Sequence, residues 1–305
     1  MPVFFCNFAE RMSKEGLETK PMSYHHLWQR LTKHYDEGEA KAIARWVLEA
    51  RFGLSMLDIY SGGVEALPTQ QQAELEQLAI RLEQGEPVQY VLGMAEFCGR
   101  RLHVEPGVLI PRPETEELCR WVIEETGDRR QEREYLLDIG TGSGCIAITL
   151  ALDIAGSKVT AWDISDEALR IASENARRLG ADVTFEKHDA LGPALFTSHD
   201  PHFTAIVSNP PYIDEARERD AIAANVLDYE PHIALFGPAE EPDLFYKRIG
   251  DYAIHALKPG GTLYFELNPL TADDVAHYLS SLGFKEIEIR QDQFGKQRFL
   301  KAKKI

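Results

Sequence analysis

The chain has few cysteines, and neither its cysteines nor its histidines form clusters. Its 305 residues contain 4 cysteines, Cys6, Cys98, Cys119 and Cys145, and no two of them form a C-x-x-C pair. Its 10 histidines form no H-x-x-x-H pattern. These absences disfavour a disulfide framework and a zinc site. We therefore predict free thiols, no bound metal and a reducing compartment, the cytoplasm.

Long apolar runs and an excess of basic residues are also missing. No apolar stretch approaches the roughly 18 residues of a membrane span, so no membrane partner is expected. With 33 Lys and Arg against 49 Asp and Glu, the formal net charge is −16. An acidic chain lacks the positive field that holds phosphate backbones, although a local basic groove is compatible with this charge. The composition therefore disfavours nucleic acid as a partner.

The first third of the chain predicts a small helical unit. Residues 1–22 are predicted to be a disordered lead-in, because their apolar segment is too short for a signal peptide. Residues 23–93 carry apolar side chains at helical spacing and predict a helical bundle. A bundle of this size is marginal alone, so we expect it to dock the substrate, with simple packing support as the alternative. Residues 94–117 predict a connector with a short extended segment.

Residues 118–305 alternate strand and helix patterns. Such alternation predicts an α/β domain in which helices cover both faces of a mostly parallel sheet. Seven strands are predicted, the last two as an antiparallel hairpin, at residues 135–139, 158–162, 183–187, 203–208, 262–267, 286–290 and 298–302.

A glycine-rich loop follows the first of these strands. Gly140, Gly142 and Gly144 alternate with Thr141 and Ser143, two residues after Asp138. Glycine permits a tight turn and lets a ligand approach the backbone closely. Asp163 ends the next strand, where a carboxylate can accept hydrogen bonds from ribose hydroxyls. The pattern predicts a nucleoside-containing ligand at the carboxyl ends of the strands.

Two ligands fit this loop to different extents. Gly142, Gly144 and Ala147 match the dinucleotide pattern, so an NAD-dependent dehydrogenase has to be considered. The additional Gly140 and the acid Asp138 argue against a dinucleotide. A carboxylate at that position can bind a cationic amino group, which S-adenosylmethionine has and a pyrophosphate lacks. S-adenosylmethionine is therefore the predicted cofactor.

The strand at residues 203–208 runs into Asn209-Pro210-Pro211-Tyr212. The prolines cannot donate to a ladder, so the strand must end there in a rigid loop. Asn209 Oδ1 and the Pro210 carbonyl can each accept one N–H, while the Tyr212 ring packs on a flat substrate. A proline-rich turn is the plain alternative. Combined with the glycine loop, the motif predicts methyl transfer to a planar nitrogen.

Two rival functions fit the same motifs. An amino-methyltransferase acting on adenine or guanine would use the same acceptors, but it would have to flip its base and hold phosphates, which the charge of −16 disfavours. A binding module that has lost the reaction is the second rival. The intact glycines, Asp163 and Asn209-Pro210-Pro211-Tyr212 disfavour it.

Residues 138–144 with 209–212 resemble the class I S-adenosylmethionine-dependent methyltransferases that modify planar nitrogens. Within these, residues 85–90, 107–116 and 209–213 are similar to the protein-(glutamine-N5) methyltransferases. The enzymes acting on release factors match best, and those acting on a ribosomal protein come second. The resemblance implies a Rossmann-like fold, S-adenosylmethionine as cofactor and residues 118–305 as the methyltransferase domain. The implied partner is a class-1 peptide chain release factor, methylated on the glutamine of its Gly-Gly-Gln loop.

The resemblance also implies roles for individual residues. The implied catalytic residues are Asn209, Pro210 and Tyr212. The implied cofactor contacts are Asp138, Gly140, Thr141, Gly142, Ser143, Gly144, Asp163, Asp189 and Asn209. The implied substrate contacts are Asn209, Pro210, Pro211, Tyr212, Arg112 and Phe97, although Arg112 fits a solvated linker charge equally well. Two departures are visible. Ala190 follows Asp189 where many relatives have an aromatic residue, and residues 266–269 replace the more usual glycine-containing segment after the fifth strand.

Overall fold

The computed structural model describes residues 20–126, 134–192 and 203–305. The chain divides into two compact units, Met1–Leu92 and Gly93–Ile305. Most of the predicted lead-in, residues 1–19, lies outside the described residues.

The first unit is helical. Its helices are α1 Tyr24–Leu31, α2 Glu37–Phe52, α3 Met56–Tyr60, α4 Thr69–Glu83 and α5 Val88–Leu92. The N-terminus of α1 is capped by Ser23, whose hydroxyl accepts from the His26 amide, and α2 is capped in the same way by Asp36. The apolar faces meet in one core that includes Leu27, Leu31 and Leu75. Local capping and apolar periodicity together account for this bundle.

The second unit begins with a hairpin and a helix. Strands β1 Met94–Phe97 and β2 Arg100–His103 pair antiparallel, and α6 Pro113–Thr126 follows. The two turn residues Cys98 and Gly99 both have positive φ, 47° and 71°, which gives the turn the twist that a two-residue hairpin needs. The Glu116 carboxylate accepts from the Cys98 amide at 3.0 Å and fastens this turn to the first part of α6.

The remaining elements mostly alternate strand and helix, as the sequence predicts. In order they are β3 Tyr135–Ile139, α7 Cys145–Asp153, β4 Lys158–Asp163, α8 Asp166–Leu179, β5 Val183–Lys187, β6 Phe203–Ser208, α9 Glu215–Glu218, α10 Ala224–Tyr229, α11 His232–Leu235, α12 Leu244–Ala256, β7 Leu257–Glu266, α13 Ala272–Ser281, β8 Lys285–Gln291 and β9 Gln297–Lys303. Three additional short helices, α9, α10 and α11, lie between β6 and α12, and β8 and β9 follow each other directly.

These strands form one sheet of seven in the order β5-β4-β3-β6-β7-β9-β8. The pairs among β5, β4, β3, β6 and β7 are parallel, whereas β9 pairs antiparallel with both β7 and β8. The predicted fold is confirmed. The chain reverses its direction of growth between β3 and β6, and ligands of open α/β sheets bind at such a switch point.

Alternate side chains of the strands pack against different helix layers. On one face Leu137, Ile206 and Leu263 lie in a core with α12 and α13. On the other face Leu136 and Ala205 lie in a core with α6 and α7. Both faces are therefore buried, which leaves the carboxyl edge of the parallel strands as the place for polar function.

Candidate active site

The glycine loop and the proline loop leave the sheet side by side. The β3–β6 register pairs Ile139 with Ser208, the last residue of each strand. The Ser208 hydroxyl donates to the Ile139 carbonyl at 2.7 Å and fixes this register at the edge. A Cβ on Gly140 would lie 4.0 Å from the Asn209 carbonyl oxygen. The two motifs that the sequence singles out thus form one site.

The backbone of the glycine loop is tied to the neighbouring strand. The amides of Gly140 and Thr141 both donate to the Trp162 carbonyl at 2.9 Å. Gly144, at φ 84°, approaches α8 so closely that a Cβ would lie 3.1 Å from the Ala172 Cβ. A Cβ on Gly142, in contrast, would meet no described atom within 4 Å. Gly144 is therefore required by packing, while Gly142 leaves open space at the edge for a ligand.

Asp138 lies beneath the loop and is fully buried. Its Oδ2 accepts from the Thr141 hydroxyl at 2.7 Å and from the Ala147 amide at 3.1 Å. No described residue donates to its Oδ1, which is buried as well. Burial raises the pKa of this carboxyl to about 7, although the two donors oppose the shift. Asp138 thus shapes the loop and keeps one buried oxygen to which no described residue donates.

Asp163 ends β4 next to the same loop. Its Oδ2 accepts from the Gly142 amide at 2.9 Å, and its Oδ1 accepts from the Ser165 amide at 2.9 Å. Burial raises the pKa of this carboxyl against the effect of these amides. Each carboxylate oxygen has a further lone pair, so Asp163 can still accept from ligand hydroxyls.

The region after β5 is held by local contacts. The Asp189 carboxylate accepts from the Leu191 amide at 2.9 Å, and Ala190 packs against the core cluster to which α12 and α13 contribute. His188 stacks on Trp162 with ring centroids 4.1 Å apart. An aromatic pair thus precedes the position at which many relatives carry a single aromatic residue.

Asn209 follows β6 and points its amide group at α6. Its Nδ2 donates to the Thr115 hydroxyl at 3.2 Å, and Thr115 donates in turn to Glu266 Oε2 at 2.6 Å. No described residue donates to Asn209 Oδ1 or to the Pro210 carbonyl. The two acceptors that the sequence predicts for a planar NH₂ group therefore have no donor among the described residues.

Hydrogen bonds hold both the side-chain hydroxyl and the backbone carbonyl of Tyr212. Its hydroxyl donates to Glu266 Oε1 at 3.1 Å, and its carbonyl accepts from Asn268 Nδ2 at 3.0 Å. Arg298 Nη1 donates to the Tyr212 hydroxyl at 3.3 Å. Burial is the main cause of a raised pKa at this hydroxyl, so Tyr212 is a neutral phenol in this site. Pro210 is buried and Pro211 half-buried, and the fixed φ of the two prolines makes the loop rigid.

The predicted substrate residues Arg112 and Phe97 lie in different settings. Arg112 Nη2 is paired with the buried carboxylate of Glu230, which also accepts from the Ile110 amide at 3.0 Å. The Arg112 side chain is 32% exposed, so it can also reach a ligand. Phe97 is 1% exposed and packs in the core with Leu118, so in this structure it supports the hairpin from inside.

Four residues of this site carry contacts that sequence reasoning did not assign. These are Thr115, Glu230, Glu266 and Arg298. Thr115 lies in the segment 107–116 that the sequence singles out, but its pairing with Glu266, and that of Arg112 with Glu230, is visible only in the folded chain. Among the described residues, no group of three or more His, Cys, Asp or Glu side chains is placed to hold a metal. No helix in the described part of the chain is long and apolar enough to cross a membrane.

The residues at this edge fit S-adenosylmethionine. The unpartnered Asp138 Oδ1 suits an ammonium group, Asp163 suits ribose hydroxyls, and the space at Gly142 admits a ligand against the backbone. A pyrophosphate would place negative charge near two carboxylates, which electrostatics disfavours.

Comparison with known proteins finds family models that match both parts of the chain. The PrmC N-terminal domain model matches residues 24–93, and the Methyltransferase small domain model matches residues 122–232. The T. thermophilus 16S rRNA N2 G1207 methyltransferase, solved with AdoMet and guanosine, superposes with a TM-score of 0.50 at 19% identity. That alignment covers 70% of this chain and 50% of that one, and the likeness is one of fold.

Curated relatives are much more similar. A release factor glutamine methyltransferase of Bacteroides thetaiotaomicron is 45% identical over 279 residues, which is 91% of this chain and 97% of the relative. A release factor glutamine methyltransferase of Flavobacterium psychrophilum is 37% identical over 275 residues, which is 90% of this chain and 95% of the relative. The chain belongs to the release factor glutamine methyltransferase family.

Proposed function

We propose that this protein transfers a methyl group from S-adenosylmethionine to the side-chain amide nitrogen, N5, of the glutamine in the Gly-Gly-Gln loop of class-1 peptide chain release factors. The observation that carries the proposal is the pair of free acceptors, Asn209 Oδ1 and the Pro210 carbonyl, beside the glycine loop. Membership in the family supplies the identity of the acceptor protein.

An amide nitrogen is a weak nucleophile because its lone pair is delocalised into the carbonyl. Asn209 and Pro210 offer two acceptors, one for each N–H of the substrate amide, and Tyr212 offers a flat face. Fixing both hydrogens leaves the nitrogen lone pair free of hydrogen bonds and fixes its direction before reaction. Positioning is therefore the main contribution of these residues.

The acceptors also favour the product side of the reaction. The nitrogen becomes briefly cationic on alkylation, so hydrogen bonds to it strengthen in the transition state more than in the ground state. The cationic amide loses its proton readily, and we assign no general base.

The cofactor would be held by the loop and by two carboxylates. Bound S-adenosylmethionine would supply an electrophilic methyl group on a sulfonium. Gly140, Gly142 and Gly144 give the backbone surface, Asp138 the acceptor for the amino group, and Asp163 the acceptors for ribose. Thr141 and Ser143 complete the loop, and Asp189 would be a further contact near the adenine of the cofactor.

The helical unit is proposed as the dock for the release factor. Its helix α3 presents Met56, Leu57 and Tyr60 with 46%, 78% and 65% exposure. Exposed large apolar side chains on one short helix are typical of a protein interaction surface.

We also propose a cytoplasmic location, where release factors act and where the described cysteines, Cys98, Cys119 and Cys145, stay free thiols.

The test is transfer of labelled methyl to a panel of acceptors. The panel contains a class-1 release factor, its Gly-Gly-Gln loop variant with Gln replaced by Ala, a ribosomal protein mixture, and duplex DNA and RNA. Label on the wild-type factor alone is the expected result. Label on ribosomal protein or nucleic acid, with none on the release factor, would overturn the proposal.

A further inference from the structure

A single buried carboxylate holds both polar side chains of the proline loop. Glu266, the last residue of β7, is 2% exposed. Its Oε2 accepts from the Thr115 hydroxyl at 2.6 Å, and its Oε1 accepts from the Tyr212 hydroxyl at 3.1 Å. Thr115 then contacts Asn209 at 3.2 Å. Each oxygen of Glu266 thus accepts the first hydrogen bond of one series, called an arm below. The Oε2 arm leads through Thr115 to Asn209, and the Oε1 arm leads to Tyr212.

The polarity of the Asn209 arm follows from proton counting. An ionised carboxylate can only accept, so the one hydroxyl proton of Thr115 is committed to Glu266. Thr115 Oγ1 can then only accept from Asn209. Asn209 must therefore turn its Nδ2 toward Thr115, and this orientation directs its carbonyl oxygen away from α6. The direction of donation in these two hydrogen bonds thus sets the orientation of the Asn209 amide that the substrate needs.

The Tyr212 arm has the same polarity. The Tyr212 proton goes to Glu266, so its oxygen accepts from Arg298 Nη1 at 3.3 Å. Arg298 is itself fixed by the Leu267 carbonyl at 3.1 Å and by the Asp292 carboxylate at 3.3 Å. The ring of Tyr212 is thereby held by contacts from β7 and β9.

The charges around Glu266 act in both directions. Burial raises the pKa of its carboxyl, and the nearby Glu114 adds to the rise. The hydroxyls of Thr115 and Tyr212 and the positive charge of Arg298 lower the pKa. Burial is the largest of these effects and leaves the pKa of Glu266 above its usual value, while the two O–H donors and the guanidinium of Arg298 stabilise the ionised, acceptor-only form that the hydrogen-bond directions require.

We propose that Glu266 and Thr115 are positioning residues that orient the Asn209 amide so that its oxygen faces the acceptor nitrogen. This inference rests on the proposed function, because it concerns the same acceptor site. It gives the threonine of Arg112-Pro113-Glu114-Thr115-Glu116 a defined chemical role. It also links that segment to Glu266 at the end of β7, the strand that lies next to β6 in the sheet.

The test compares three threonine variants. T115V keeps the shape of the side chain and removes the hydroxyl, and T115S restores the hydroxyl. T126V is the matched control, since Thr126 is a buried threonine of the same helix whose hydroxyl bonds the Val122 carbonyl instead. We expect T115V to lower kcat on the release factor by about 10- to 100-fold, with S-adenosylmethionine affinity unchanged, because misplacement of a positioning group costs on this scale. T115S and T126V should keep kcat within about threefold of wild type.

A double variant tests whether Glu266 and Thr115 act in series on Asn209. Groups that act in series show non-additive losses, so T115V combined with E266Q should lose little more kcat than E266Q alone. Losses that multiply would overturn the proposed series. An unchanged kcat in T115V would overturn the role of Thr115, whatever its effect on Tm.

A second measurement does not depend on turnover. In asparagine-labelled protein, the side-chain NH₂ resonances of Asn209, assigned with N209A, should shift in T115V and stay near wild type in T115S and T126V. Resonances that T115V leaves unmoved would overturn the inference. If wild-type protein fails to methylate any release factor while the shift occurs, the proposed function fails and the orientation of Asn209 by Thr115 stands.

Discussion

Thr115 and Glu266 lie 151 positions apart in the sequence, and the Thr115 hydroxyl donates to Glu266 Oε2 at 2.6 Å. This bond joins the first turn of α6 to the end of β7, directly beside Asn209. The site is therefore built from three segments of the chain, and the proline loop alone does not specify it.

The substitution N209A should abolish most turnover and leave cofactor binding intact. Asn209 provides one of two acceptors for the substrate amide, and removal of such a group costs about 100- to 1000-fold in kcat. The S-adenosylmethionine dissociation constant, measured by calorimetry, should stay within about threefold of wild type. If affinity fell in parallel with kcat, Asn209 would be a cofactor or structural residue first.

Cofactor affinity should depend on pH through Asp138. Because burial raises the pKa of this carboxyl to about 7, the ionised fraction increases from about one tenth at pH 6 to about one half at pH 7, a range in which an α-amino group stays mostly protonated. If only the carboxylate binds the ammonium group, the apparent dissociation constant should fall about fivefold over that range. Calorimetric titration at several pH values measures this.

Two variants are controls for the Asp138 prediction. D138N should bind weakly with no such pH dependence. D163N should bind weakly but keep the pH dependence of wild type, since Asp163 faces ribose in the proposed site. A pH profile of D138N that matched wild type would contradict the role given to Asp138.

Arg112 should contribute to both stability and substrate affinity. R112A leaves the buried Glu230 carboxylate without its ion pair, which should lower the free energy of unfolding by about 1–3 kcal/mol. It should also raise KM for the release factor about tenfold, the effect of losing one charged hydrogen bond. Denaturant unfolding and steady-state kinetics give the two values.

The double variant R112A/E230Q separates these effects. Replacing the carboxylate by a neutral amide removes the unpaired charge, so stability should recover. KM should stay high if Arg112 contacts substrate. A KM that returned to the wild-type value would mean that Arg112 only serves as the partner of Glu230.

The exposed apolar side chains of α3 should matter for the whole release factor and not for its loop alone. Leu57 is 78% exposed, and L57S removes the apolar surface available to a docking partner. Loss of one buried leucine contact corresponds to roughly a tenfold rise in KM for the full-length factor. KM for a short Gly-Gly-Gln peptide should not change.

The control for L57S is I305S. Ile305 is comparably exposed, at 70%, and lies at the other end of the chain. It should affect neither substrate. Equal KM values for L57S and wild type on the full-length factor would remove α3 from the proposed dock.

The sequence predicted the edge of the sheet well, because that edge is encoded locally. Apolar runs that end at Gly140 and at Asn209 define β3 and β6, and α/β alternation requires that they be parallel. Their adjacency is a property of the sheet order, which the sequence did not predict, and it brings both motifs to the switch point.

Other features were not local and could not be predicted. Strand β1 was missed because its turn places Cys98 at φ 47°, a conformation that sequence rules associate with glycine or asparagine. Phe97 was expected at the substrate, and its side chain lies in the core, since strand alternation decides which face it takes. The pairs Thr115–Glu266 and Arg112–Glu230 join distant segments that no pattern connects.

The most direct test of the account is to locate the methyl group. A class-1 release factor is incubated with S-adenosylmethionine and wild-type protein or N209A, then digested and sequenced by tandem mass spectrometry. We predict one added methyl group on the side-chain nitrogen of the Gly-Gly-Gln glutamine with wild-type protein, and almost none with N209A. Methylation at another residue, or equal methylation by N209A, would contradict the account.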